Sequence, residues 1–455
     1  ELGFCAEKDV QRVVNFYLKM GMKTKVSDIS DYSPITIISR KFKTFIKVKV
    51  KILLNYFFLY SMDDKKYLQT NNGTIIMESS STSFSALKVD GTTTNNGTVK
   101  YKRYVNEASS TEWDLIGSPL SGQSISNFVS TNTSGTPTLG TQGSSPTLYA
   151  IGTYNNQNNT WSNYDSSDLS GNFETGKGYQ MGSVAGGSGL LVFEGTPEST
   201  NQTYTVTDHT DSGNSTYGKF NLVSNPFPTY LNLNSAADNT NNLISVNSAE
   251  GNINLHPSYT AVWGWKADQS ADGYASYDNN DTAKYIAPGQ GFFIATDENG
   301  GTDLDFTAAM RTTSGSDDFI SNDPMEYNDV YLNLYNNDHL MEQTHVRFRE
   351  EMTLGLNPSY DVGNFNQNAA ITSRLLEDDE GINFEHQNLP LSAMENAVIP
   401  LVINQSAGQE FRINLFTATI PDPNVYLEDV EEGTFTNLYE GDFVYTPTSD
   451  ISGVG

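Results

Sequence analysis

One cysteine, Cys5, is present in 455 residues. No internal disulfide can therefore form, and a fold of this length must rest on buried apolar surface, which also suffices for an exported chain. Cationic residues are scarce: 26 Lys plus Arg stand against 54 Asp plus Glu, a net charge of −28. That balance repels nucleic acid and anionic membranes, so neither is expected as a partner. Long apolar runs are missing too. The run Ile52–Tyr60 is far too short to span a bilayer, and no membrane span is expected. Histidine is thin: His209, His256, His339, His345 and His386 include no two within four residues of each other, so no local zinc motif exists. His345 alternates with Arg347 and Arg349 and reads as a strand-face residue. No GxSxG marks a nucleophile elbow, and Cys5 has no activating neighbours, so no catalytic residue is assigned. A triad assembled from distant residues stays open. An initiator Met and a cleavable signal at the start are also lacking, which reads as a fragment of a longer chain.

What is abundant is Asn, Ser, Thr and Gly, together with 25 Tyr and 23 Phe, a composition of strands and turns. Residues 1–62 differ from the rest, with 11 Lys/Arg against 5 Asp/Glu. They read as upstream or misjoined sequence, with a short hairpin or helix as the other option. From there the chain becomes repetitive. NNGTIIM (Asn71–Met77) returns as NNGTVKY (Asn95–Tyr101) 24 residues later, the length of one β-solenoid coil.

A larger duplication follows. WDLIGSPL (Trp113–Leu120) answers FNLVSNPF (Phe220–Phe227), offset by 107. Three later pairs share the offset 113: Tyr164 with Tyr277, Gly178 with Gly291, and Phe193 with Phe306. A constant offset through independent landmarks marks a tandem repeat of roughly 100 residues. Short strands between Gly/Asn/Asp/Ser turns make each unit a β-sandwich or small barrel. The polar tracts Ser121–Thr147 and Thr229–Tyr259 read as long loops. The expected class is all-β: solenoid-like strands over 63–105, sandwich repeats over 106–210 and 211–312, a linker over 313–328, and a further β-sandwich over 329–455. The last strand of that sandwich is expected beyond the end of the chain.

Several stretches, in order, resemble large secreted surface proteins of flavobacteria: YKRYVN, WDLIGSPLSG, FNLVSNPFPTYL, IAPGQGFFI, MRTTSGSDDF, YNDVYLNLYN and NVYLEDVEEGTFTNL. The likeness covers about residues 65–455. It implies export by the type IX secretion machinery, a cell-surface or extracellular location, and a C-terminal sorting domain that would follow this region. It implies no reaction.

Three motifs remain as candidate sites. In IAPGQGFFIA (Ile286–Ala295), Gly291 leads into a β-prone run instead of a helix, so a phosphate loop is disfavoured. Pro288–Gly289 suits the centre of a type II turn. Asp268, Asp272, Asp278 and Asp281 gather in one stretch and suggest calcium, the one cofactor considered, but EF-hand spacing is absent and a solvated hairpin loop is favoured. Trp161, Trp263 and Trp265 are candidates for stacking on a polysaccharide or cell-surface glycan. Trp265, of opposite strand parity to Trp263, is the best placed for exposure. Tyr164 and Tyr277, which hold matching places, are expected in the core. The favoured function is a non-catalytic, adhesin-like or structural surface segment. The alternatives are a carbohydrate-binding accessory region and an enzyme with an unrecognised site.

Overall fold

In a computed structural model of the protein, residues 70–454 are described apart from 91–93, 109–112, 212–215, 266–273, 297–302, 316–327, 367 and 421–423. Before them only the strand backbones Ile35–Ile37, Val48–Val50, Leu59–Met62 and Lys65–Leu68 are described. Cys5, Asp268, Asp272 and most of the basic segment lie outside the described residues. The fold is nearly all β.

The 24-residue repeat is a pair of stacked coils. Strands β1 (Thr74–Ser80) and β2 (Thr98–Tyr104) pair in parallel, with Thr74 opposite Thr98 and Met77 opposite Tyr101. The Asn-Asn-Gly turns stack likewise, and Asn71 Nδ2 donates to Asn95 Oδ1 at 2.8 Å. These coils do not form a separate body. Ile75, Met77, Val99 and Tyr101 enter the same core as Phe128, Ile151, Tyr179 and Phe193 of the first repeat.

The first repeat contains β3 (Asp114–Ile116), α1 (Ile125–Thr133), β4 (Leu148–Asn155), β5 (Thr160–Asp165), β6 (Tyr179–Met181) and β7 (Leu190–Gly195). The second contains β8 (Gln202–Thr205), β9 (Phe220–Ser224), α2 (Leu243–Asn247), β10 (Val262–Trp265), β11 (Tyr274–Tyr277), β12 (Gly291–Ala295) and β13 (Asp303–Phe306). Strand order is the same in both: β3-β6-β4-β5 and β9-β12-β10-β11, all antiparallel. The closing strands also correspond, since β7 pairs with β2 and β13 with β8. Each repeat thus takes in one strand upstream of residues 106 and 211.

The two polar tracts are not wholly loops. ISNFVSTNT is a poor intrinsic helix former, yet Ile125, Phe128, Val129 and Asn132 fall on one buried face, the i, i+3, i+4, i+7 spacing of an amphipathic helix. Ser124 caps it by accepting from the Asn127 N–H at 3.1 Å, and Asn242 caps α2 the same way through the Ser245 N–H at 2.7 Å. Tyr277 is buried in the second core, and Tyr164 packs partly buried on the first.

The glycine loops join the repeats. Gly117 N–H donates to Gly289 O at 2.9 Å, and Ser224 N–H donates to Gly176 O at 2.8 Å. Ile116 bridges to Gln290 and Val223 to Lys177. Because 117 corresponds to 224, and 176 to 289, the contact is reciprocal, as in an isologous dimer interface. PGQG and TGKG are therefore turns that clasp the other repeat, PGQG at the end of β3 and TGKG at the end of β9.

After the second repeat come β14 (Asn328–Asn336), β15 (His339–Arg349), β16 (Val362–Gly363), β17 (Ile371–Ser373), β18 (Phe384–Pro390), β19 (Leu401–Gln405), β20 (Phe411–Ala418), β21 (Phe443–Tyr445) and β22 (Ile451–Val454). They make one nine-stranded sheet of order β21-β20-β14-β15-β18-β17-β19-β22, with β16 on β18. Leu334 and Ile413 share a core with Ile371 and Ile403, although β15 and β18 separate their strands. The sheet therefore curls on itself into a half-barrel whose flanks share a core, the form that the further β-sandwich takes here, and β22 pairs with β19.

Candidate functional site

Strict alternation along β14 and β15 puts Val330, Leu332, Val346 and Phe348 on the inside of the curled sheet. The same alternation sends Asp329, Tyr331 and Asn333 to the other face, where they stand opposite Arg347, His345 and Gln343. Three polar rungs result. In the lowest, Arg347 Nε donates to Asp329 Oδ1 at 2.7 Å and Nη2 to Oδ2 at 3.0 Å, a bidentate pair. In the middle, the Tyr331 and His345 rings stack at 3.9 Å. In the third, Gln343 Nε2 donates to Asn333 Oδ1 at 2.7 Å. The parallel neighbour β18 sets His386 beside His345, with ring centres 5.1 Å apart.

The second repeat docks on this face. Arg347 Nη1 donates to Asn280 O at 2.9 Å, Asn280 Nδ2 to Tyr360 O at 2.9 Å, and Ser276 Oγ to Glu385 Oε1 at 2.6 Å. Beside these contacts an aromatic cluster bridges the two bodies. Phe365 lies 4.6 Å from Phe220, 4.8 Å from Tyr274 and 5.3 Å from Phe293, centre to centre.

Between the bodies remains a cavity of about 210 Å³. Its walls are rings (Trp263, Tyr274, Tyr331, Phe365), amides (Gln343, Asn364, Asn366), acids (Asp281, Glu342, Glu385), Arg347 and the two imidazoles. Burial holds the His345 imidazole below its usual range against the pull of Asp329. Burial, then the neighbouring His345 and Arg347, hold His386 well below it. Both rings are therefore uncharged near neutrality. Burial would raise Asp329, but His345 and Arg347 outweigh it and hold the carboxyl down to about 2.

Asp278 and Asp281 sit in a turn, YDNND, whose counterpart in the first repeat is YDSSD (Tyr164–Asp168). The geometry is shared: Asp278 Oδ1 accepts from the Asn280 N–H at 2.6 Å, and Asp165 Oδ1 from the Ser167 N–H at 2.7 Å. The environments are opposite. Asp165 faces solvent, and its bonds from Ser167 lower its pKa. Asp278 is sealed at the junction, 3.3 Å from His386 Nε2, and burial, then Asp281, push it well up. The Asp278 carboxyl thus accepts from Asn280 inside the docked junction, and Asp281 Oδ2 accepts from the Asp278 N–H at 2.8 Å. Among the described residues no group of three or more His, Cys, Asp or Glu is placed to hold a metal.

The tryptophans divide. Trp263 is 1% exposed and forms cavity wall, not a surface platform. Its indole Nε1 is buried without a hydrogen-bond partner. Trp265 is half-buried against Tyr274, 5.0 Å away, so the surface face expected from its parity is largely covered. Trp161 is 38% exposed and packs on Tyr154 at 5.1 Å, outside the cavity. His386, Glu385, Glu342 and Phe365 were not singled out by sequence reasoning. The alternation of polar with apolar residues in NDVYLN and QTHVRF was the available signal for the polar face. The pairing of His345 with His386 had no local signal.

The family comparison fits this two-part body. The model of a domain of unknown function, DUF8693, matches residues 62–452. The chain belongs to the DUF8693 family. The matched span starts where the basic segment ends and takes in both repeats and the curled sheet. No curated protein and no solved structure matches the chain. Among the described residues no helix is long and apolar enough to cross a membrane.

Proposed function

We propose that this DUF8693 chain is a non-catalytic, exported surface segment that binds a single sugar unit in the cavity between its second repeat and its curled sheet. The observation that carries the reading is the lining: aromatic rings beside amides and carboxylates in one recess. A pyranose offers an apolar C–H face that packs on rings and a rim of hydroxyls that pair with amides and acids. A volume of about 210 Å³ is below the roughly 300–1,000 Å³ of sites for drug-sized ligands, which suits one unit of a glycan. The likeness to flavobacterial type IX cargo and the net charge of −28 support an extracellular setting.

The test is titration of the full chain with neutral and anionic oligosaccharides, read by tryptophan fluorescence and calorimetry. Saturable binding that weakens at least tenfold in Gln343→Ala and Asn366→Ala is the expected result. No saturation with any glycan, or binding indifferent to both substitutions, would sink the reading. Release of new reducing ends would replace it with an enzymatic one.

A further inference from the structure

The C-terminal part of the chain carries a surface of its own, independent of the cavity and of the sugar-binding reading. Strands Tyr426–Asp429 and Thr434–Asn437 form an antiparallel hairpin, with Tyr426 opposite Asn437 and Glu428 opposite Phe435. Alternation divides its two faces. Leu427 packs on the core of the curled sheet together with Val425 and Leu438, which anchors the hairpin to the body. Tyr426, Glu428 and Phe435 stand on the opposite face. The Tyr426 and Phe435 side chains are 55% and 64% exposed, and Val430 in the turn is 65% exposed. Large apolar groups gathered on one exposed ribbon mark a contact surface, unlike singly scattered ones.

The ribbon also has open edges. Among the described residues each of its strands pairs only with the other. Natural proteins often guard such an edge with lysine, but residues 413–455 contain no Lys, Arg or His. Carboxylates stand there instead: Glu428, Asp429, Glu431, Glu432 and Glu440. Asp429 Oδ1 accepts from the Glu431 and Glu432 N–H groups at 3.0 and 3.1 Å, neutral donors that leave its charge in place. Among the described residues none of the five is in an ion pair, whereas the neighbouring Asp442 is matched by Arg412 at 2.7 Å. Glu428 lies opposite Phe435 and two residues from Tyr426 on the same face, so its carboxylate has a ring on either side. A cation there gains from the carboxylate and from both ring quadrupoles. Pairing this face with the same face of a second copy would set carboxylate against carboxylate.

We infer that the hairpin docks an extended, lysine- or arginine-bearing segment of a partner protein, added as a third strand along Tyr426–Asp429, with one cation seated at Glu428 between the rings of Tyr426 and Phe435. Main-chain hydrogen bonds to the open edge supply affinity in this mode, and alternate side chains supply selectivity.

The experiment titrates the full chain with a short peptide that alternates lysine with threonine, and with the same peptide carrying glutamate in place of lysine. The lysine peptide is expected to bind saturably and more weakly as salt rises, and the glutamate peptide not to bind. Glu428→Gln and Phe435→Ser should each weaken the lysine peptide at least about tenfold. Both side chains are exposed, and circular dichroism shows that each variant is folded. A control variant with Glu377→Gln and Glu380→Gln, exposed acids elsewhere on the sheet, should bind as the wild type does. Amide exchange at Tyr426–Asp429 should slow when the peptide is added. Equal weakening in the control variant would assign the binding to overall charge and overturn the site. Absence of binding, or binding without slower exchange along Tyr426–Asp429, would overturn it as well.

Discussion

Trp263 and Gly152 occupy the same position of the repeated sheet. Trp263 stands opposite Ser276 and Phe293, and Gly152 opposite Asn163 and Gln180. The face around Gly152 is polar, with Gln180 Nε2 donating to Asn163 Oδ1 at 2.8 Å. The face around Trp263 is aromatic because Phe365 of the curled sheet lands on it, 5.7 Å from the indole. Two copies of one strand have diverged according to what covers them. Truncating a buried Trp costs about 3–5 kcal/mol. Trp263→Ala is therefore expected to lower the urea midpoint strongly, whereas Gln180→Ala on the open face should change stability by about 1 kcal/mol or less. Similar losses for both would contradict the docking of the second repeat on the sheet.

Asn132 and Asn247 play one role twice. Asn132 Nδ2 donates to Val192 O at 3.1 Å while its Oδ1 accepts from the Val192 N–H at 2.8 Å. Asn247 does the same with Asp305, at 2.9 and 2.8 Å. Each side chain also donates to the carbonyl four residues earlier, Phe128 O and Leu243 O, at 2.9 Å. The short helix is thereby tied to the closing strand by a side chain that imitates a β-ladder pair. Replacement by Ala leaves a buried N–H and carbonyl without that partner, which costs about 1–3 kcal/mol per orphaned group. Asn132→Ala and Asn247→Ala should destabilise by similar amounts in chemical denaturation, and Asn→Leu should not rescue either. A near-neutral result for one of them would break the equivalence.

Much of this was legible in the sequence because it depends on local pattern. The offset of 113 between Gly178 and Gly291 exposed the duplication, and the alternation in HVRFRE exposed a strand with a polar face. The 24-residue spacing of NNGT likewise corresponds to the parallel pairing of β1 with β2. The helix α1 was missed because its residues are poor helix formers, and burial of Ile125 and Phe128 overrides that propensity. The cavity was missed for a different reason. His345 and His386 are 41 residues apart and meet only through a parallel strand pair, a long-range choice that no local spacing encodes. The burial of Trp263, one of the glycan candidates, was not legible because it depends on a partner sheet that periodicity does not reveal.

The pair Asp329–Arg347 sets a definite dependence on acid. Asp329 is held down to about 2, below the ordinary value near 3.9. A carboxyl with a depressed folded pKa stabilises above its unfolded value and loses that contribution as pH falls through the folded one. Roughly 2–3 kcal/mol should therefore be present above about pH 4 and disappear toward pH 2. Urea midpoints of the wild type should drop through that window more steeply than those of Asp329→Asn. At neutral pH the substitution should itself cost about 3–5 kcal/mol, because Arg347 is left buried without its counter-charge. Parallel pH profiles for the two proteins would exclude the ion pair as the source.

The glycine clasp between the repeats can be separated from ordinary backbone strain by two substitutions. Gly289 has φ +66°, and a Cβ there would sit 2.7 Å from Gly117 O and 3.0 Å from Pro119 Cδ. Gly122 also has positive φ, +89°, but a Cβ would meet nothing within 4 Å. Both changes to Ala carry the left-handed penalty of about 1–2 kcal/mol. Only Gly289→Ala adds a clash with the backbone of the other repeat, and with it loss of the 2.9 Å bond from Gly117. Gly289→Ala should therefore be less stable than Gly122→Ala by a further 1–3 kcal/mol or so. Its amide exchange should rise at Gly117, within the first repeat, although the substitution lies in the second. Equal stabilities, or an effect confined to the second repeat, would mean that PGQG is a turn that clasps nothing.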